Sequence, residues 1–174
     1  MRIIIRGVTG TGKSTLAEHL AARYALDRID MDELFHLPGW QSRPEDEFER
    51  LLEERTRGDR WVMAGNYTRT EPLLLPRATH VVWLVYGRTF SFSRLLFRTL
   101  RRVVRNEPCC NGNYESWSRT LSRESILLWH IKTYGKVKRR AEQALRTASD
   151  DGREIVILRS DREANRWMHS LGGP

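Results

Sequence analysis

Eight consecutive residues near the N-terminus, Gly7-Val8-Thr9-Gly10-Thr11-Gly12-Lys13-Ser14, fill every fixed position of the pattern G-x-x-x-x-G-K-[ST]. Such a run can cradle a polyphosphate. Glycines at 7, 10 and 12 let the backbone curl so that successive N–H groups point inward, and a helix starting at Lys13 adds its positive end. Lys13 reaches the β and γ phosphates, the Ser14 hydroxyl suits Mg²⁺, and Thr15 adds a hydroxyl at the α phosphate. Gly7, Thr9, Gly10, Thr11, Gly12, Lys13, Ser14 and Thr15 are therefore expected to bind ATP with Mg²⁺.

A loop of this kind needs an acid beside its metal, normally at the end of a neighbouring strand. The apolar run Trp61-Val62-Met63 ends in Ala64-Gly65, and Val81 to Val85 also ends without an acid. Asp30 and Asp32 remain, at the carboxyl end of the second expected strand, Leu26 to Asp30. One could serve the metal, with Ser14, and the other an acceptor hydroxyl. The same acids also suit the capping of a turn. Asn66 and Tyr67 follow the strand expected nearest the glycine loop and would flank an acceptor, with Phe35 and Trp40 as an aromatic wall or as ordinary core.

These residues must be positioned by alternating strands and helices. Strands are expected at Ile3 to Ile5, Leu26 to Asp30, Trp61 to Ala64, Val81 to Val85 and Glu154 to Leu158. Helices are expected from Lys13 to Arg23, Arg43 to Arg57 and Thr89 to Arg105, with a long one ending near Leu145. Between the last two, Asn106 to Ser118 holds Pro108, Gly112 and three Asn, which makes it a helix-breaking loop and a candidate lid. The 174 residues show no repeat and no linker, so one domain is expected over residues 1–174.

At 40% hydrophobic and 30% charged residues, the chain can bury a core, which excludes global disorder. The longest apolar run, Val81 to Tyr86, is six residues, too short for a membrane span, and the start lacks a signal peptide's apolar stretch. Both point to the cytoplasm. Cys109 and Cys110 are adjacent and cannot staple distant segments. The net charge of +8 is uneven, because residues 88–140 hold ten Arg and three Lys against three Glu, a net +10. That segment would fit nucleic acid or a polyphosphate, although 26 of the 30 basic residues are Arg and Arg is common throughout.

Gly7 to Ser14, Asp32-Glu33-Leu34-Phe35 with Pro38-Gly39-Trp40, and Gly65-Asn66-Tyr67 together resemble the adenylate-kinase-like P-loop kinase family often labelled topology modulation protein. Asn111-Gly112-Asn113, Ser122 to Trp129 and Ile155 to Arg159 are similar to a subset of it. The resemblance implies an α/β nucleoside-monophosphate-kinase-type fold: a five-stranded parallel sheet of order 2-3-1-4-5, flanked by helices, with a small lid. It also implies transfer of the γ-phosphoryl group of MgATP to a nucleotide or small hydroxylated acceptor. The family label adds a competing reading, a nucleotide-switched protein that binds nucleic acid through the basic segment.

Two positions depart from the family pattern: Ala64 stands where an Asp is usual, and Tyr114 where an Arg is common. The first shifts the metal role to Asp30, because Asp30-Met31-Asp32 resembles the D-x-D of shikimate-kinase-type enzymes, whose first Asp serves the metal and second the acceptor. Arg94 and Arg98, four apart, are similar to the R-x-x-x-R at the start of nucleotide-kinase lids. The resemblance implies Arg94 on adenine and Arg98 on phosphate, with Arg101, Arg102 or Arg105 closing on the γ phosphate. Lys13, Asp32, Arg98 and Arg102 are the expected catalytic set.

Overall fold

A computed structural model describes residues 1–123, 125–147 and 152–172. Five strands, β1 (Arg2–Gly7), β2 (Asp27–Asp30), β3 (Trp61–Ala64), β4 (His80–Leu84) and β7 (Glu154–Leu158), pair in parallel in the order β2-β3-β1-β4-β7. This is the expected sheet, with Glu154–Leu158 as its fifth strand. The two remaining strands, β5 (Pro108–Cys109) and β6 (Asn113–Tyr114), form a separate antiparallel hairpin.

β1 is central because it can be buried on both faces. Ile3, Ile5, Val62, Ala64, Val82 and Leu84 pack with Leu16, Leu20 and Tyr24 of α1 (Lys13–Tyr24) and with Trp167 and Met168 of α8 (Asp161–Ser170). The alternate residues Ile4, Met63, Val81 and Trp83 pack on the other side. There they meet α3 (Glu45–Arg55), α4 (Glu71–Leu74) and α7 (Ile126–Arg146) through Phe48, Leu52, Leu74 and Ala141. This two-sided period of 2 produces the continuous apolar runs visible in the sequence.

The carboxyl ends of β1, β2 and β3 carry the loops that matter. The chain goes from β1 to α1 and β2 on one side, and from β3 to β4 on the other, the kind of crevice where ligands bind in open α/β sheets. β2 runs directly into α2 (Met31–Phe35), a short helix absent from the sequence expectation. The basic helix α5 (Arg88–Arg105) buries Ser91, Leu95 and Thr99, spaced four apart, and packs against α7. Between them lie the hairpin and α6 (Trp117–Thr120), N-capped by Ser116. The segment expected as a loop therefore has structure of its own, a two-residue ladder closed by a turn at Cys110-Asn111-Gly112.

Candidate active site

The glycines of the loop after β1 are required for two different reasons. Gly12 has φ 88° and begins α1, a backbone region L side chains seldom adopt. Gly10, with φ 87°, lies under α5: a Cβ there would come within 2.4 Å of the Ser91 carbonyl oxygen and 2.9 Å of Leu95 Cβ. The basic helix is thus seated directly on the loop. That seating brings Arg94 beside Gly12, where a Cβ would lie 3.3 Å from Arg94 Nη2.

Lys13 folds back over the loop and donates to the carbonyl oxygens of Gly7 and Val8, each at 3.2 Å. Burial lowers its pKa from 10.5 to about 8, opposed by the Asp32 carboxylate, assisted by Arg98 and opposed again by Asp30. An ammonium held in this way is poised to be neutralised by an incoming phosphate. Thr11 is buried and donates its hydroxyl to Val8 O at 2.7 Å, so it braces the turn, whereas Thr15 is exposed on the first turn of α1.

The two aspartates divide their work by geometry. Asp30 Oδ2 accepts from the Ser14 hydroxyl at 3.0 Å, while Oδ1 accepts from the Asp32 N–H at 3.0 Å and caps α2. One side chain therefore both caps α2 and contacts Ser14. Burial and the Asp32 charge push the Asp30 carboxyl above its ordinary range, with the Ser14 hydrogen bond opposing. Asp32 is exposed and accepts from the Tyr67 hydroxyl at 3.0 Å. Burial, together with the charge and hydrogen bond of Asp32, keeps that phenol protonated well above its usual range. Ala64 is the register partner of Asp30 across β2 and β3, so both Cβ atoms project from the same face. A carboxylate at 64 would stand next to Asp30.

A hydroxyl and a carboxylate, both oxygen donors and in contact beside the loop, suit Mg²⁺. The nearby cations complete the test of fit. Arg98 faces Lys13, Arg102, Glu115 and Asp32, its pKa is lowered chiefly by burial, and its buried Nε has no hydrogen-bond partner. A buried guanidinium N–H without an acceptor is what a phosphate oxygen would satisfy. Arg102 instead pairs with Glu115 at 3.2 Å, and Arg101 pairs with Glu107 at 3.0 Å. Arg94 pairs with Asp161 at 2.8 Å and lies 5.5 Å from the Phe90 ring. Ser160 N-caps α8, leaving Asp161 to Arg94 and to the Tyr86 hydroxyl.

Asn66 reaches the glycine loop: its amide donates to Gly7 O at 2.7 Å and its oxygen accepts from the Gly7 N–H at 3.1 Å, so it clamps the start of that loop. Phe35 packs on Phe48 and Tyr67, with ring centroids 5.3 and 4.9 Å apart, and helps set the tyrosine that holds Asp32. Trp40 is held from the hairpin: its N–H donates to Asn113 Oδ1 at 2.8 Å, its indole N–H donates to Tyr114 O at 3.1 Å, and the Arg119 guanidinium lies 4.3 Å from its ring. Asn113 donates to Leu37 O at 3.0 Å, and Asn111 donates to His36 O at 2.7 Å. The candidate lid is therefore docked on the segment Glu33 to Trp40.

Three groups were missed by sequence reasoning. Glu115 and Arg119 carry no local pattern to betray them. Arg6, buried in β1, pairs with half-buried Glu71, which also binds half-buried Arg140 of α7, so a charge network starts one residue before Gly7. Only the arginine before the first glycine could have signalled it.

Solved structures share this architecture. A gluconokinase from Sinorhizobium meliloti 1021 matches 98% of this chain and 92% of its own, with a TM-score of 0.55 at 17% identity. A shikimate kinase from Bacteroides thetaiotaomicron matches 98% of this chain and 96% of its own, with a TM-score of 0.52 at 15% identity. No protein-family model matches the sequence, and a search among curated proteins returns no match. Likeness at such identities establishes the fold alone, a five-stranded parallel sheet flanked by helices.

Proposed function

We propose that this chain is a P-loop phosphotransferase that moves the γ-phosphoryl group of ATP to a hydroxyl of a small acceptor. One observation carries the reading: the Asp32 carboxylate, oriented by Tyr67, faces Lys13 and Arg98, whose buried Nε has no hydrogen-bond partner among the described residues. A base, a phosphate-binding cation and a second cation converge where an in-line transfer would occur.

In this reading the loop N–H groups and Lys13 hold the β and γ phosphates, and Arg98 stabilises charge on the migrating group. Asp32 orients the acceptor hydroxyl and takes its proton, while Tyr67 keeps the carboxylate aimed. Mg²⁺, held by Ser14 with Asp30 directly or through water, supplies charge neutralisation at the phosphates. The division of Asp30 and Asp32 supports the D-x-D analogy, with a small hydroxylated acceptor preferred to a nucleotide. Arg94 borders the base side with Asp161.

The competing reading, a nucleotide-switched nucleic-acid binder of the topology-modulation kind, rests on the basic segment. The ion pairs of Arg94, Arg101 and Arg102 occupy cations that such binding would need free, and this favours the kinase. The test is a panel of polyols, sugars, hydroxy acids and nucleosides incubated with MgATP, with ADP release and phosphorylated product measured together. An acceptor that stimulates ADP release in the parent but not in Asp32→Asn supports the assignment. ATP binding without stimulation by any acceptor, alongside salt-sensitive binding of a DNA duplex, supports the alternative.

A further inference from the structure

One face of the long helix α7 is used by neither the core nor the site. His130 is fully buried and its Nε2 lies 2.9 Å from the Ser91 hydroxyl oxygen, which fixes the inward side of the helix against α5. At 3.6 residues per turn, Leu128, Lys132 and Arg139 then stand on the opposite side, with Trp129 and Lys136 along one flank and Ile131 along the other. All six are exposed, Trp129 at 58%. Leu121, just before the helix, is 82% exposed. Large apolar side chains scattered singly over a surface need no explanation, but three within four positions form a patch. Towards the carboxyl end the same face turns cationic. Lys132, Lys136 and Arg139 have no ion pair among the described residues, unlike Arg94, Arg101 and Arg102 of α5, and no acid occurs from Ser125 to Arg140.

Charge decides what can cover this face. A second copy of the chain would set its unpaired cations against the same cations, and like charges in contact repel. Nucleic acid would take the cations but leave Leu128 and Ile131 in water, because phosphates and base edges call for hydrogen-bonding groups. An anionic bilayer offers both partners at once: a plane of phosphate groups for the cations and, directly beneath it, an apolar layer for Leu and Ile, with a boundary zone that suits Trp. No described helix is long and apolar enough to cross a membrane, so such a contact lies along the surface. We propose that the outward face of α7, with Leu121 at its start, docks on an anionic lipid surface. Leu128, Trp129 and Ile131 enter the boundary between headgroups and acyl chains, and Lys132, Lys136 and Arg139 meet lipid phosphates. Three cations at about fivefold each give a preference for charged over neutral lipid of roughly 100-fold.

The test sediments the full chain with vesicles of phosphatidylcholine, alone or mixed in equal parts with phosphatidylglycerol. Binding to the mixed vesicles should exceed binding to the neutral ones roughly 100-fold and weaken at least about tenfold from low to physiological salt. Lys132→Gln combined with Lys136→Gln and Arg139→Gln should remove most of that preference. Leu128→Ser combined with Ile131→Ser should weaken binding at least about tenfold at an unchanged melting temperature, since neither side chain belongs to a core cluster. Lipid brominated on its acyl chains should quench the tryptophan fluorescence of the parent more than that of Trp129→Phe. Equal affinity for both kinds of vesicle, affinity for neither, or full binding by either combined variant overturns the proposal. Two further outcomes also overturn it: a DNA duplex or polyglutamate that binds through the three cations while vesicles stay free, which gives the face to another polyanion, and a dimer that the Leu128 and Ile131 variant dissolves, which gives it to a second copy. None of these measurements depends on ATP, on the acceptor or on turnover.

Discussion

The glycine loop and the wall proposed to face an acceptor are built on opposite principles. Every group of the loop lies within eight consecutive residues, and its shape follows from local backbone freedom at Gly10 and Gly12 and from the start of α1. The wall is assembled from Asp32, Trp40, Tyr67 and Asn113, joined by contacts that span 35 residues in one case and 73 in another. The first region keeps its form through sterics, the second through a few hydrogen bonds. Changes in the loop should therefore affect ligand affinity and leave the fold intact, whereas changes in the wall should alter closure.

The largest effect is expected at Lys13. Its side chain belongs to neither core cluster, so Lys13→Ala should keep the parental melting temperature and lose ATP affinity on the order of 1000-fold, as for truncation of a buried charge contact. Isothermal titration checks this, and unchanged affinity in a folded variant would remove the basis of the loop assignment. Next comes the metal side. Asp30→Asn should reduce any Mg²⁺-dependent turnover on the order of 100-fold. Ala64→Asp should not improve it, because the new carboxylate would stand beside Asp30, in a strand already buried on both faces. A gain from Ala64→Asp with an unaffected Asp30→Asn would transfer the metal role to position 64.

This contrast also explains what was legible beforehand. β1, β3 and β4 could be read because both faces are buried and leave continuous apolar runs, and the glycine loop because its chemistry is local. α2 was missed because Asp30 ends the strand and caps the helix with the same side chain, leaving no linker to mark the change. The Asn66 clamp was not legible for a related reason: its position after β3 gives no sign of Gly7, and only the fold brings Gly7 within reach of its amide. Arg98 and Arg102 look equivalent in sequence, four apart on one helix. Glu115, reached through the hairpin, separates them by pairing with Arg102 alone.

A smaller effect, graded by pH, sharpens the loop side. Burial lowers the Lys13 pKa to about 8 in the free protein, from 10.5. A depressed lysine holds its charge in the folded state at a cost below about pH 8, and that cost is relieved as pH rises towards 10.5, where the unfolded chain still binds the proton. Polyphosphate needs the ammonium, so binding near pH 9 should take up a proton, and affinity should fall by up to about tenfold per pH unit above pH 8. Calorimetry at pH 9 in two buffers of different ionisation enthalpy measures the uptake. Equal heats in both, or the same uptake in Lys13→Ala, would assign the titration elsewhere.

The smallest expected effect tests the wall. Asn113 is only 4% exposed and makes three hydrogen bonds: it accepts from the Trp40 N–H and donates to Leu37 O and Cys110 O. Asn113→Ala leaves those groups unmatched, at about 1 to 3 kcal/mol for a buried polar group, less where water enters. The loss is local, because the sheet and both core clusters do not involve the hairpin. Global unfolding should therefore shift little, while cutting within residues 106–118 should accelerate about five- to tenfold through more frequent opening. Asn113→Asp keeps an oxygen for the Trp40 N–H but loses both donors, and should fall between parent and alanine. In the parent, MgATP with an acceptor should slow the same cleavage, since a lid closes to exclude water. If all three proteins are cut alike, and ligand protects none of them, the hairpin is an ordinary connection between two helices and the wall does not move.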